Sequence, residues 1–516
     1  MSNESEHITR KIRIDKALQK AGWTIIHSKS VSDLSLLKNH ALEEFETSNG
    51  PADYGLIVNG KLLGIVEAKK IEVGAQNVLE QSKRYSKGAS NTMGEWNQYR
   101  VPFLYSSNGE LIYHIDIRSE KNLSRQIFDF HSPEALLSFF ETNKEHSLQW
   151  LRNTPIDSPG LRDYQKKAIN AAEKVIEAGR NLMLLAMATG SGKTYTTVNL
   201  VYRMIASGYA KKILFLVDRK SLAAQAVMAF ASFDTPHKIK LKDEYELYSQ
   251  RFKREDFEDE KYDPGVLPNS YLTNPDRSKT FLYVCTIQRM AVNLYGREGA
   301  FPEGEEKEDE DDTETLTIPS HAFDLIIADE CHRGYTSKET NVWRNVLNHF
   351  DAIKVGLTAT PASHTVAYFG KPVFNYPLQQ AIDEGFLVDY DAVAIDSKVL
   401  MNGAFLKEGE QVGIIDTETG RERIDQLEDE REFTTTEIEE KITAPDTNQK
   451  IIEELKKYTD EWETENGRFP KTLIFASTDI QHISHADRLV KIAKKLITAA
   501  MILWPRLQEV QTLTDH

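Results

Sequence analysis

Short, almost wholly apolar segments recur through the middle of the chain, with helix-like sequence between them. The segments are NLMLLAMA (181–188), KILFLVD (212–218), FLYVCT (281–286), DLIIADE (324–330) and AIKVGLTAT (352–360). Short apolar strands that alternate with helices are typical of a parallel sheet covered by helices on both faces. The pattern therefore predicts an α/β fold for this region, which follows a linker that contains Pro, Ser and Gly (152–160).

Composition narrows the class of protein. The 516 residues are enough for about three to five domains. No apolar stretch approaches the roughly 20 residues that cross a bilayer, and the polar start lacks a secretion signal. Two cysteines allow no disulfide framework or cysteine zinc cluster, which fits a reducing compartment. Together these features lead us to expect a cytoplasmic protein with no membrane partner. The net charge of −16 leaves DNA binding open, because local acidic runs supply much of it.

The sequence MATGSGKT (187–194) follows the first apolar strand and precedes a predicted helix. Its glycines let backbone amides face a phosphate chain at a helix N-terminus, whose dipole favours anions. Lys193 is placed to neutralise the β and γ phosphates, and the Thr194 hydroxyl to bind Mg²⁺. Met187 replaces the usual first glycine, and a glycine turn with a chance lysine is the alternative. The predicted nucleotide-binding residues of this loop are Thr189, Gly190, Ser191, Gly192, Lys193 and Thr194.

A second motif, Asp329-Glu330-Cys331-His332, directly follows the apolar strand LIIA. Carboxylates at the carboxyl end of a strand lie where doubly wound sheets bind ligands. We expect Asp329 to hold Mg²⁺, and Glu330 to polarise the water that attacks the γ-phosphate of ATP. A strand end with an incidental acidic pair is the alternative.

The amino-terminal 150 residues predict a mixed unit that contains an acidic hairpin. Asn59-Gly60, a strong hairpin signal, joins YGLIV to KLLGIVEAK. Across this turn Asp53 can reach Glu67, and strand alternation puts Glu67 and Lys69 on one face. Two carboxylates can hold a divalent cation that activates water, and an adjacent lysine can stabilise a reacting phosphate. A solvated edge pair of Glu67 and Lys69 is the alternative.

Two helices are predicted to support this hairpin. One helix, about 76–87, carries Gln81 and Tyr85 on one face, four residues apart. An earlier helix is predicted to carry candidates for an auxiliary acid, although helix solubility explains these residues equally well. The candidates are Glu43, Glu44 and Glu46.

The central region resembles the superfamily-2 helicases and translocases, whose two RecA-like lobes clamp ATP and nucleic acid. LRDYQ (161–165) is similar to their adenine-contacting segment, and LTATP (357–361) to the element that couples ATP to DNA. VDRKSLAAQ (217–225) and TIQ (286–288) are similar to the strand-contacting motifs of the first lobe. The resemblance implies that Gln165 reads adenine and that Arg219 and Lys220 contact DNA phosphates. The coupling residues that it implies are His332, Thr358 and Thr360.

The amino-terminal region resembles the PD-(D/E)xK nucleases, although Pro51-Ala52-Asp53 carries an extra residue between Pro and Asp. Gln81 and Tyr85 match the QxxxY element that follows this nuclease core in the motor subunits of type I restriction enzymes. Those subunits place such a nuclease before a DECH-type translocase. The segment YFGKPVFNYPLQQAIDEGFLVDY (368–390) is also similar to theirs, and the resemblance covers residues from about 35 to 490.

This resemblance implies an ATP-dependent endonuclease that pulls duplex DNA and cleaves it. The cofactors that it implies are ATP and Mg²⁺. The Mg²⁺ ions would be held by Asp53 and Glu67 in the nuclease and by Thr194 and Asp329 in the motor. Its partners are double-stranded DNA and the methylation and specificity subunits of the same complex. The implied division is a PD-(D/E)xK domain (1–150), a linker (151–160), a first RecA-like lobe (161–375), a connecting region (376–470) and the start of a second lobe (471–516).

The sequence after residue 490 contains no arginine-rich motif of a second lobe, so we expect a fragment, a truncated reading frame or a degraded copy. Loss of an arginine finger costs about 10³–10⁵ in turnover, which predicts little ATP hydrolysis and no translocation by this chain alone. Two alternatives remain open. One is a stand-alone helicase with a non-catalytic, DNA-binding amino-terminal module, and the other is an inactive remnant that binds nucleotide and DNA.

Overall fold

The computed structural model describes residues 6–70, 79–90, 93–119, 121, 123–251, 264–276, 278–300, 314–332, 337–390, 404–406, 411–415, 422–426, 431–433, 445–474 and 485–496. The contacts divide the chain into two compact units, Met1–Asp389 and Tyr390–His516. None of the described helices is long and apolar enough to cross a membrane.

The first unit begins with a seven-stranded mixed sheet whose strands follow chain order. Its strands are β1 (Thr24–His27), β2 (Asn39–Thr47), β3 (Gly50–Val58), β4 (Lys61–Ala68), β5 (Phe103–Ser107), β6 (Ile112–Asp116) and β7 (Arg125–Ile127). The pairs β1–β2 and β4–β5 are parallel and the others antiparallel. Separate apolar clusters form around the sheet, one that includes Tyr54 and Val66 and one that includes Leu62 and Ile65. The predicted hairpin of β3 and β4 is confirmed.

The second sheet of this unit is eight-stranded and wholly parallel, in the order β11-β10-β12-β9-β13-β14-β8-β15. The strands are β8 (Leu182–Met187), β9 (Lys212–Val217), β10 (Glu246–Ser249), β11 (Gly265–Val266), β12 (Phe281–Thr286), β13 (Leu325–Ala328), β14 (Ile353–Thr358) and β15 (Phe374–Tyr376). Ile213 and Phe215 of β9 face one core, and Leu214 and Leu216 the other. Because both faces are buried, the strands are apolar throughout, and all five strands predicted from this pattern are confirmed.

Helices surround the two sheets of the first unit. The chain starts with α1 (Glu6–Thr9), a π-helical turn (Arg10–Ile14) and α2 (Asp15–Lys20). The remaining helices are α3 (Leu79–Gly88), α4 (Pro133–Glu141), α5 (Lys144–Asn153), α6 (Asp163–Glu177), α7 (Lys193–Ala206), α8 (Lys220–Ser232), α9 (Leu241–Glu244), α10 (Asn269–Thr273), α11 (Ile287–Ala300), α12 (Ser337–His349), α13 (Ser363–Phe369) and α14 (Leu378–Asp383).

The second unit is described in part. It contains two antiparallel pairs, β16 (Ala404–Leu406) with β19 (Arg431–Phe433) and β17 (Gln411–Ile415) with β18 (Glu422–Gln426). Two helices follow, α15 (Pro445–Asn466) and α16 (His485–Leu496), which pack around Ile452 and Leu489. Of the strand predicted at 471–477, residues 471–474 have no regular structure and the rest lies outside the described residues. The division into five parts therefore stays a prediction.

One prediction about the amino-terminal region is wrong. Glu43, Glu44 and Glu46 lie on the strand β2 and not on a helix. The segment ALEEFET has good helix formers, but its backbone pairs with β1 on one side and β3 on the other. Tertiary pairing thus overrides the local preference.

Candidate active sites

The β3–β4 hairpin sets which way the predicted nuclease residues point. Asn59 and Gly60 both have positive φ, 48° and 76°, as a two-residue hairpin turn of type I′ requires. The register then shifts, since Ile57 pairs with Leu62 but Leu56 pairs with Gly64. Leu63 is the extra residue of this bulge. Without this extra residue, every later side chain of β4 would point to the opposite face of the sheet.

The shifted register places the two predicted acids across from each other. Tyr54 pairs with Val66, so the next position outward brings Asp53 opposite Glu67, and facing residues of an antiparallel pair project to the same side. Asp53 Oδ2 accepts a hydrogen bond from the backbone N–H of Ala68 at 2.7 Å. Lys69 Nζ donates to Glu67 Oε1 at 3.0 Å, and the Glu67 side chain is only 6% exposed. The structure thus brings Asp53, Glu67 and Lys69 together.

Arg10 also belongs to this cluster, although the sequence analysis did not find it. Its guanidinium donates to Asp53 Oδ1 at 2.9 Å and to Glu44 Oε1 at 2.6 Å. Burial lowers the pKa of Arg10, but the hydrogen bonds to Glu44 and Asp53 outweigh it and raise the pKa above its ordinary value. Arg10 lies in the π-helical turn, a feature often found at functional sites.

Asp53 and Glu67 fit a divalent cation by the chemistry of their donors. Carboxylate oxygens are the ligands that Mg²⁺ prefers, and it commonly uses one or two carboxylates together with water and substrate oxygens. Within the described residues there is no group of three or more His, Cys, Asp or Glu that could hold a metal ion. A cation here would therefore rest on this pair.

The predicted support residues lie on α3, which packs against β3, β4 and β5. Tyr85 is buried and its hydroxyl accepts a hydrogen bond from Arg84 at 3.1 Å, whereas Gln81 is exposed. Ser82 fixes the helix by donating to the carbonyl oxygen of Tyr105 at 2.8 Å. The support role of Gln81 and Tyr85 stays a prediction.

The predicted phosphate loop joins β8 to α7 at the carboxyl edge of the parallel sheet. Gly190 and Gly192 both have φ of 82°, a left-handed conformation that glycine adopts at little cost. The helix α7 begins at Lys193, so the loop residues Thr189 and Ser191 precede a helix N-terminus and Thr194 lies in its first turn. This is the arrangement that the sequence predicts for a triphosphate.

The segment LRDYQ (161–165) contacts the phosphate loop through hydrogen bonds. Gln165 Nε2 donates to the carbonyl oxygen of Ser191 at 3.1 Å, and the Tyr164 hydroxyl donates to the same oxygen at 2.7 Å. Tyr164 stacks on Tyr376 with ring centroids 4.0 Å apart. The Arg162 guanidinium lies over the Phe386 ring at 4.7 Å. No local sequence pattern predicts these aromatic contacts, because they join residues more than 200 positions apart.

The acidic motif meets the phosphate loop directly. Lys193 Nζ donates to Glu330 Oε1 at 2.7 Å. Burial, followed by the nearby Glu330 charge, raises the pKa of Asp329 to about 6. Glu330 has a φ of 49°, and its N–H donates to Asp329 Oδ1 at 2.9 Å. A carboxylate pair beside this lysine fits Mg²⁺ and a nucleotide phosphate together.

The predicted coupling residues form a chain of contacts from Glu330. His332 Nδ1 lies 3.3 Å from Glu330 Oε2 and 2.9 Å from Thr358 Oγ1. Thr358 Oγ1 accepts a hydrogen bond from the N–H of Thr360 at 3.1 Å. The structure therefore joins the ends of β13 and β14 by side chains that end at the acidic motif.

The predicted DNA contacts lie at the same edge of the sheet. Arg219 and Lys220 follow β9 and start α8. Arg219 Nε is 3.5 Å from Asp218 Oδ2, and its side chain is 34% exposed. The carboxyl ends of parallel strands form one edge, so both residues share it with the phosphate loop. Their contact with DNA stays a prediction.

Comparison with known proteins connects the two halves of this arrangement. Residues 25–140 match the family model for the second domain of the type I restriction enzyme EcoKI endonuclease subunit, and residues 158–363 match the type III restriction enzyme res subunit model. The EcoKI endonuclease subunit of Escherichia coli K12 is 32% identical over 95% of this chain and 43% of its own length. The chain is therefore related to the type I restriction enzyme endonuclease subunits.

A second endonuclease subunit and one solved structure are also similar to this chain. The EcoAI endonuclease subunit of Escherichia coli is 29% identical over 83% of this chain and 45% of its own. The structure of the ATP-dependent Type ISP restriction-modification enzyme LlaBIII bound to DNA is 19% identical, with a TM-score of 0.31, over 75% of this chain and 26% of that one. The present chain spans less than half the length of the two endonuclease subunits.

Proposed function

We propose that this chain supplies the nuclease site and the ATP-binding lobe of a type I restriction endonuclease subunit. In that role it takes part in ATP-dependent translocation of duplex DNA and in cleavage away from the recognition site. The observation that carries the proposal is the cluster of Asp53, Glu67 and Lys69, in the same compact unit as the Lys193–Glu330 pair.

The nuclease residues have separate tasks in this proposal. Asp53 and Glu67 would hold a divalent cation, which would supply the Lewis acid that activates water. The backbone N–H of Ala68 fixes the Asp53 carboxylate at 2.7 Å. Lys69, held beside Glu67, neutralises the charge that develops on the attacked phosphate. Since none of these groups reads a base, the reaction suits cleavage without sequence choice at the cut.

The ATP-binding residues divide their work in a similar way. Backbone amides of the loop 189–192 bind the phosphates, and Lys193 neutralises the β and γ phosphates. Thr194 and Asp329 would hold Mg²⁺, which polarises the γ-phosphate when it is bound. Glu330 accepts a proton from the attacking water. Glu330 contacts His332, and His332 contacts Thr358. Through these contacts the γ-phosphate can affect the carboxyl edge of the parallel sheet, where Arg219 and Lys220 lie.

The partners follow from the family. We propose duplex DNA as the substrate, with methylation and specificity subunits in the same complex, in the cytoplasm. Arg219 and Lys220 are the proposed phosphate contacts on DNA, and such contacts make binding depend on salt and not on sequence.

Plasmid nicking in the presence of manganese tests the nuclease assignment. We expect the chain to nick supercoiled DNA. Asp53→Asn removes a ligand of the cation and Lys69→Ala removes the charge beside the attacked phosphate, so each should lower the nicking rate by at least about 10²-fold. Glu80→Gln, an exposed acid on α3, is the control and should keep the rate. Unchanged nicking by Asp53→Asn would favour a stand-alone helicase, and no nicking by the unmodified chain would favour an inactive remnant.

A further inference from the structure

A cavity of about 140 Å³ separates the mixed sheet from the parallel sheet within the first unit. The mixed sheet contributes β5, β6, β7 and the helix α4, and Lys144 comes from α5, whose Leu151 packs in a core of the parallel sheet. The other side is formed by the amino ends of β8, β9 and β14. The phosphate loop lies at the carboxyl edge of the same strands, so this cavity is at the opposite edge from the ATP site. Its volume is enough for a small molecule together with several waters.

The cavity wall is rich in positive charge although the chain carries a net charge of −16. The basic residues that line it are Arg125, Lys144, Arg180, Lys211 and Lys212. Lys144, Arg180 and Lys211 are exposed, and no carboxylate of the described residues lies within ion-pair distance of their side chains. Three carboxylates also line the wall, Asp116, Asp324 and Asp351, so the basic residues are in excess by two and favour an anion.

The carboxylates in the wall are already used by other groups. Asp116 is bound by Arg118 through two hydrogen bonds of 2.7 and 2.9 Å. Asp324 accepts from the backbone N–H groups of Lys211 and Lys212 at 2.8 and 2.9 Å. Neither carboxylate forms an ion pair with the exposed lysine and arginine side chains of the wall, which can therefore face a ligand.

Asp351 is the third carboxylate, and it is bound from the mixed sheet. Arg125 donates to its two oxygens at 2.5 and 2.8 Å, and His131 Nε2 lies 2.8 Å from Oδ2. Burial, and then the charge of Arg125, lower the pKa of the buried His114 in this wall well below its ordinary value.

We propose that this cavity is a binding site for a phosphate group, held by Arg180 and Lys211 from the parallel-sheet side and by Lys144 from α5. The site is separate from both proposed active sites. The phosphate group comes either from a free phosphate ion or from the backbone of DNA.

Calorimetric titration with inorganic phosphate tests the site. All proteins carry Lys193→Ala, which removes the phosphate-loop lysine, and sodium chloride keeps the ionic strength constant. We expect the Lys193→Ala chain to bind phosphate, and expect added Arg180→Gln and Lys211→Gln to weaken binding about tenfold or more, because two charge-assisted hydrogen bonds are lost. Both residues are exposed, so the fold should be retained, which circular dichroism checks.

The matched control is the pair Lys29→Gln and Lys174→Gln, which removes the same charge from exposed positions outside the cavity. Equal weakening by both pairs would overturn the proposal, as would the absence of phosphate binding by the Lys193→Ala chain. A competition arm separates the two sources. Displacement of phosphate by a short DNA duplex would identify the DNA backbone as the ligand, and retention of phosphate would identify the free ion.

Discussion

Arg10 shows how strongly one side chain outside a motif can shape a site. It bridges Glu44 on β2 and Asp53 on β3, so it holds two carboxylates that would otherwise repel each other. The Arg10 side chain is 14% exposed, and its hydrogen bonds are therefore weakly screened by solvent. Arg10 also competes with any cation for Asp53 Oδ1.

The substitution Arg10→Gln should lower the free energy of unfolding by about 1–3 kcal/mol, because Glu44 and Asp53 lose a charged donor. Arg13→Gln is the control in the same π-helical turn. Arg13 is 38% exposed and its guanidinium lies 3.8 Å from Glu110, so we expect a loss below about 0.5 kcal/mol. Urea unfolding measures both values, and equal losses would contradict the proposed bridge.

At the level of residues, the sequence was sufficient for groups that lie close together in a motif. Glu67 and Lys69 are two positions apart, and Lys193 and Glu330 each belong to a motif with a fixed place on a strand end. Arg10 could not be found in this way, because 43 positions separate it from Asp53 and its turn carries other basic residues. A contact between distant segments leaves no local pattern.

Among the elements, the phosphate loop depends on the close fit of Gly192 and Gln165. Any Cβ at position 192 would lie 2.5 Å from Gln165 Nε2, and the backbone there has a φ of 82°. A side chain would therefore displace the amide that donates to Ser191, in addition to straining the backbone.

We expect Gly192→Ala to weaken binding of a fluorescent ADP analogue by about tenfold or more, since the loop loses its backing contact and its relaxed conformation. Gly467→Ala is the control, because Gly467 also has positive φ, 70°, but meets no atom within 4 Å. It should change stability without changing nucleotide affinity. If displacement of the amide is the cause, adding Gln165→Ala to Gly192→Ala should weaken binding little further.

Some of the strands could be predicted from the sequence, and other features of the sheets could not. The apolar strands of the parallel sheet were predictable because burial on both faces leaves a continuous pattern. The bulge at Leu63 was not, although it decides that Asp53 faces Glu67, because a one-residue register shift depends on packing across several strands. The helical assignment of Glu43, Glu44 and Glu46 failed for a related reason, since strand pairing on both sides outweighed helix propensity.

Over the whole first unit, buried polar groups join the two sheets. His131 contacts Tyr105 of the mixed sheet and Asp351 of the parallel-sheet region, at 2.7 and 2.8 Å. The His114 ring is tilted by 33° against the Tyr105 ring, with centroids 4.6 Å apart, and His114 is 1% exposed. The charged and titratable groups that act on its ring are Arg125, His131, Lys144 and Asp351.

This junction predicts a dependence of stability on pH. Burial first, then Arg125, holds the pKa of His114 well below its ordinary value of about 6.5. As the pH falls below that value, the unfolded chain gains a proton at this position that the folded chain does not, so stability is lost. His114→Phe should remove this component, which is at most about 1.4 kcal/mol per pH unit.

Urea unfolding of both proteins between about pH 7.5 and 5.5 measures the difference in slope. His146→Phe, at an exposed position on α5, controls for the substitution itself. Parallel slopes for the unmodified chain and His114→Phe would show that this histidine takes up its proton equally in both states.

The positions of the two cysteines allow thiol labelling to report when the parallel-sheet region opens. Cys285 on β12 and Cys331 beside the acidic motif are both buried in the parallel-sheet region, while the mixed sheet contains no cysteine. Burial, followed by the Asp329 charge, raises the pKa of the Cys331 thiol. An alkylating reagent reacts with the thiolate, so its rate of incorporation follows transient opening of one sheet while the other stays silent. Pulse labelling can thus measure the opening of the parallel-sheet region without a contribution from the mixed sheet.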